Sequence, residues 1–128
     1  MRISILALAC AGTLFATAAY ADDPMENTYA NTVVSKDHAT GGVTNLYFNK
    51  DMSYTAKATD KDGKPVELAG GWSLKDDGKT ICLAPTAPAN TPAGQPSCSP
   101  LEKHGVGDSW TLTNDKGQTF DISITAGR

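Results

Sequence analysis

Few side chains in this sequence could carry chemistry, and their spacing argues against the common ways of using them. The two histidines, His38 and His104, both fall in glycine-containing turn segments, which suits an exposed loop residue better than a base or a metal ligand. A zinc site needs three or four His, Cys or carboxylate ligands at a recognisable spacing, and neither His-Glu-x-x-His nor Cys-x-x-Cys occurs. No Gly-x-Ser-x-Gly elbow is present, and no serine stands beside a histidine. Asp60-Lys61-Asp62-Gly63 has the look of a calcium loop, but the twelve-residue pattern would put Ala58 and Ala69 at its first and last ligand positions. Paired carboxylates for glycoside hydrolysis would have to line a cleft, whereas the acidic residues here gather in turns. The sequence therefore predicts no catalytic, cofactor-binding or metal-binding residue, and a protein that is not an enzyme.

The cysteines have a different use. Arg2 precedes an apolar run from Ile3 to Ala19 that leads into Ala19-Tyr20-Ala21, the small-x-small spacing of a signal-peptidase site. Residues 1–21 read as a signal peptide, and the run is interrupted by Gly12, Thr13 and Thr17, unlike a membrane anchor. Cleavage removes Cys10 and leaves Cys82 and Cys98, one possible bridge in a compartment where bridges persist. The expected address is periplasmic or secreted, with no membrane span after cleavage.

The remaining 107 residues, 22–128, suffice for one small domain. Without Arg2 the chain carries a net charge of about −4, and Arg128 is its sole arginine. Phosphate backbones are met by basic stripes rich in arginine, so nucleic acid is excluded as an expected partner. The scattered charges describe a solvated surface and a monomer.

What must position everything else is strand. Apolar residues recur with period two: Phe120, Ile122 and Ile124 alternate with polar neighbours, as do Met52, Tyr54, Ala56 and Ala58, then Val66 and Leu68, Trp72 and Leu74, and Trp110 and Leu112. Turn signals separate these runs, among them Asp60-Lys61-Asp62-Gly63, Asp76-Asp77-Gly78 and Asn114-Asp115-Lys116-Gly117. Strands are predicted at 28–35, 43–49, 52–59, 65–75, 79–84, 97–101, 108–114 and 118–125. The fold class is all-β, a small antiparallel meander of about eight strands closing into a barrel, with a β-sandwich as second choice.

Two predicted hairpins resemble each other, Trp72 to Thr80 and Trp110 to Thr119, and both tryptophans are expected at strand starts facing the core. Pro85 to Pro96, rich in Pro, Ala and Thr, reads as a long loop bracketed by the cysteines. Joining Cys82 to Cys98 would close a loop of about 15 residues, worth roughly 3 kcal/mol in the chain-entropy description.

Tyr47-Phe48-Asn49-Lys50-Asp51-Met52-Ser53-Tyr54, Gly70-Gly71-Trp72, the two cysteines, Gly107-Asp108-Ser109-Trp110 and Ala126-Gly127-Arg128 together resemble small exported bacterial β-domains of unknown function, of the lipocalin-like kind. That resemblance implies a fold and a periplasmic address, and no activity. Leu68 to Ile124, with Ala69-Gly70-Gly71-Trp72-Ser73-Leu74 at its head, also resembles the bacterial inhibitors of secreted metalloproteases. That family implies an eight-stranded barrel whose free N-terminus enters the protease. Here more than 40 residues of the mature chain precede Trp72, and its start, Asp22-Asp23-Pro24, is acidic.

The expected function is thus a non-catalytic exported barrel that binds a small ligand or an envelope component, or alternatively inhibits an exported hydrolase or protease through Thr86 to Gln95. For a bound ligand the aromatic side chains Tyr29, Tyr47, Tyr54, Trp72 and Trp110 would be the lining. In a barrel of eight strands, however, side chains are expected to fill the interior.

Overall fold

A computed structural model of the chain describes residues 23–59, 62–87 and 96–128. The signal-peptide assignment and most of the Pro-rich loop, 88–95, lie outside the described residues. A 3-10 turn, Glu26–Thr28, precedes eight strands: β1 Thr32–Asp37, β2 Val43–Phe48, β3 Ser53–Thr59, β4 Pro65–Lys75, β5 Thr80–Ala87, β6 Ser97–Pro100, β7 Ser109–Thr113 and β8 Thr119–Thr125. All pairings are antiparallel. They form one sheet in the order β6-β5-β4-β3-β2-β1-β8-β7, a nearly closed barrel rather than a sandwich.

The sheet's two edges, β6 and β7, meet at a seam that the turn after β7 spans. The Asp115 amide donates to the Cys98 carbonyl at 2.9 Å, and the Cys98 amide donates to Asp115 Oδ1 at 3.1 Å. On its other side β6 is held to β5, where Cys82 and Cys98 are directly opposite partners joined by a disulfide. Their neighbours Ile81, Leu83, Ser97 and Ser99 face inward, so the bridge lies on the outer surface of the barrel.

Local chemistry explains where the strands stop. Asp76 and Asp77 adopt φ of 55° and 56° and Gly78 follows at 82°, the left-handed run that Asx and Gly tolerate best. The Trp72 and Trp110 hairpins are not equivalent: Lys75 pairs with Thr80 across four residues, whereas Thr113 pairs with Thr119 across five. Trp72 also lies within β4 rather than at its start.

Three further expectations need correction. The predicted first strand, 28–35, begins only at Thr32, because local hydrogen bonds capture the preceding residues. The Met25 amide donates to Asp23 Oδ1 at 2.9 Å and the Thr28 hydroxyl to the Met25 carbonyl at 2.7 Å, closing a turn that competes with sheet pairing. Pro85 to Ala87, assigned to loop, continue β5. A proline is tolerated there because, among the described residues, β6 pairs only with Thr80 to Leu83, so the far half of β5 is laddered on its β4 side alone. Met52 does not share the inward face of Tyr54 and Ala56 but is exposed in the β2–β3 turn, at φ 70°.

The core concentrates at one end. Met25, Phe48, Tyr54, Trp72, Val33, Ile122 and Ile124 are buried together, and the 3-10 turn lies across this end as a plug. The Trp72 indole donates to the Asn49 carbonyl at 3.0 Å, with the rings of Phe48 and Tyr29 each 6.3 Å away. Arg128 ties the last residue of the chain to this end of the barrel, donating to the Tyr29 carbonyl and to Asn49 Oδ1. Across the barrel wall, Gly70 allows β4, β5 and Tyr54 to approach closely. A Cβ on Gly70 would lie 2.5 Å from the Ala84 carbonyl oxygen and 2.9 Å from Pro85 Cα. Gly70→Ala should therefore destabilise the domain by about 1–3 kcal/mol in denaturant titration; a neutral result would mean that the β4–β5 bulge at Ala69/Gly70 yields freely.

Candidate ligand cavity

Alternation along eight strands turns one set of side chains inward, and these do not fill the barrel. A cavity of about 370 Å³ remains between the plug and the opposite end. Its apolar part is made by Met25, Leu46, Phe48, Leu83, Leu112 and Ile122. The expectation of a fully packed interior fails because several inward positions carry small side chains. Ser35 of β1 stands directly opposite Thr44 of β2, and on β6 Ser97 faces Leu83 and Ser99 faces Ile81. Larger residues at these four positions would have closed the space.

Polar groups alternate with apolar ones around this cavity. The hydroxyls of Ser35, Thr44, Ser97 and Ser99 line it, and none has a hydrogen-bond partner among the described residues. The β7–β8 turn adds Asn114, Lys116 and Gln118. Asn114 is buried and structural: its Oδ1 accepts the Lys116 and Gln118 amides at 3.0 Å each, and its Nδ2 donates to Gln118 Oε1 at 2.9 Å. That bonding fixes the turn from which the Lys116 side chain projects. Lys116 is the one charged side chain among the described lining residues.

Of the five aromatic residues expected to line a site, the structure brings only Trp110 to the cavity. Trp72 and Tyr54 pack in the core, and burial raises the Tyr54 hydroxyl's pKa. Tyr29 caps that core and donates to Asp23 Oδ2 at 2.8 Å; burial, and then the adjoining carboxylate, push its pKa well above the usual phenol range. Tyr47 points outward beneath the Arg128 guanidinium, 5.5 Å from the ring centroid. The lining residues that sequence reasoning overlooked are mostly aliphatic or hydroxylic. A signal existed for Ser35 and Thr44, which keep the period-two phase of Val33 and Leu46, but a serine in phase with a core face carries little weight on its own.

The histidines stand apart from each other. His104 stacks on Trp110, with ring centroids 3.6 Å apart and planes 7° from parallel, so it backs a lining residue. His38 pairs on the outer surface with Asp121 at 2.9 Å, and the Thr111 hydroxyl donates to that same carboxylate at 2.8 Å. These two contacts, His38 foremost, hold the Asp121 pKa below the usual carboxylate value. The order is wrong for activating a nucleophile, because the carboxylate sits between the hydroxyl and the imidazole. Among the described residues no group of three His, Cys, Asp or Glu side chains could hold a metal ion, and no helix is long and apolar enough to cross a membrane.

Fold and cavity together define a small all-β protein, an eight-stranded, nearly closed barrel with one disulfide and a partly polar interior space. The chain matches no protein-family model, no curated protein and no solved structure.

Proposed function

We propose that this chain is a non-catalytic exported barrel of lipocalin-like kind, working in the periplasm or as a secreted protein, that holds a small, largely apolar ligand in its interior. The observation that carries this reading is the 370 Å³ cavity, within the range of small-molecule sites. Its lining combines apolar walls with a few polar groups, and the cavity is built on strands, a plugged end and the hydrogen-bonded β7–β8 turn. A disulfide-stapled wall suits an oxidising compartment.

The protein expressed with its leader and released gently from the envelope should retain a small mass in native mass spectrometry. After delipidation it should bind the uncharged probe 1-decanol in calorimetry. Leu112→Trp, which fills the space, should abolish that binding while the fold persists by circular dichroism. Failure of the delipidated protein to take up 1-decanol would overturn the reading.

A further inference from the structure

Polar side chains are interspersed among the apolar ones of the cavity wall, and one of them carries a charge. Carboxylate side chains are absent from its described lining, and Lys116 supplies its single charge. No carboxylate of the described residues engages the Lys116 ammonium. The adjoining Asp115 is committed elsewhere, its Oδ1 accepting the Cys98 amide across the seam. The four cavity hydroxyls both donate and accept and so serve a head group of either sign, whereas the ammonium donates three hydrogen bonds and accepts none. Lys116 is therefore the group that favours an acceptor-only anion over a cationic head.

Size adds a second constraint. The space is open on one side, and at about 30 Å³ per water-sized group its 370 Å³ covers roughly a dozen non-hydrogen atoms. We infer that the ligand is an amphipathic monocarboxylate with an apolar chain of about ten carbons, its tail against Phe48 and Leu46 and its carboxylate at Lys116. This rests on the proposal that the cavity takes a ligand at all, and it goes further by giving that ligand a charge and a length.

Decanoate, 1-decanol and decylamine share a tail and differ in the head, so calorimetry with the delipidated protein separates the two claims. Decanoate should bind about tenfold or more tightly than 1-decanol, the range expected for a charge-assisted hydrogen bond, and decylamine should bind weakest. Lys116→Gln should bring the affinity for decanoate down to that for 1-decanol, so the ratio of the two affinities in each protein reads the contribution of the charge. Equal binding of decanoate and 1-decanol, or a preference that survives Lys116→Gln, would overturn the carboxylate inference while the cavity reading stands. Absence of binding by all three would overturn the cavity reading itself.

Discussion

Replacing Trp72 with alanine should lower the free energy of unfolding by about 3–5 kcal/mol, the usual cost of deleting a buried large aromatic. Trp72 is 7 % exposed and touches every part of the plugged end: Phe48 on β2, Tyr29 after the 3-10 turn, and the β2–β3 turn through its indole N–H. Trp72→Phe separates volume from hydrogen bonding. It keeps most of the packing and leaves the Asn49 carbonyl without its indole donor, so its cost should be smaller, about 1–3 kcal/mol. Urea titrations followed by circular dichroism measure both. A loss below about 1 kcal/mol for Trp72→Ala would mean that the plug does not depend on this ring, against the range for such truncations.

Reduction of the Cys82–Cys98 bridge, or its replacement by Cys82→Ala with Cys98→Ala, should cost about 3 kcal/mol for a loop of this length. For a domain near 100 residues that corresponds to a fall in Tm of roughly 10–20 °C. The effect should also be local. β6 is four residues long and pairs only with Thr80 to Leu83, and its other side is met by Asp115 alone among the ladder-forming contacts described. Without the bridge, the amides of β6 and the β7–β8 turn should lose hydrogen-exchange protection before those of β1, β2 and β8. Uniform loss across all strands, or an unchanged Tm, would show that the staple does not hold the seam. Because Ser97 and Ser99 belong to β6, the reduced protein should also bind 1-decanol less tightly, which couples the wall's covalent closure to the cavity.

Much of this architecture was legible before any coordinates. Period-two alternation at Phe120, Ile122 and Ile124, and Asx-Gly turns at 76–78 and 114–117, placed most of the eight strands within a residue or two, since both signals are local properties of backbone and side-chain direction. Misreadings arose where a local preference lost to a specific contact. Thr28 and Tyr29 favour strands, yet the Asp23 carboxylate and the Thr28 hydroxyl closed a turn first. Pro85 ordinarily ends a strand, and the far half of β5, laddered among the described residues on its β4 side alone, removed the reason for it to do so.

By itself, then, the sequence determined the all-β class, the number of strands, most of their inward positions and the pair of cysteines available to bridge. The tertiary structure alone decided that β8 pairs with β1, that β6 and β7 meet at a seam spanned by Asp115, and that Ser35, Thr44, Ser97 and Ser99 surround one space. Strand character repeats every two residues and is visible in any short window. A cavity is the volume left after inward side chains from eight separate strands are summed at one height of the barrel, and that sum depends on pairing order and register between residues as far apart as Ser35 and Lys116.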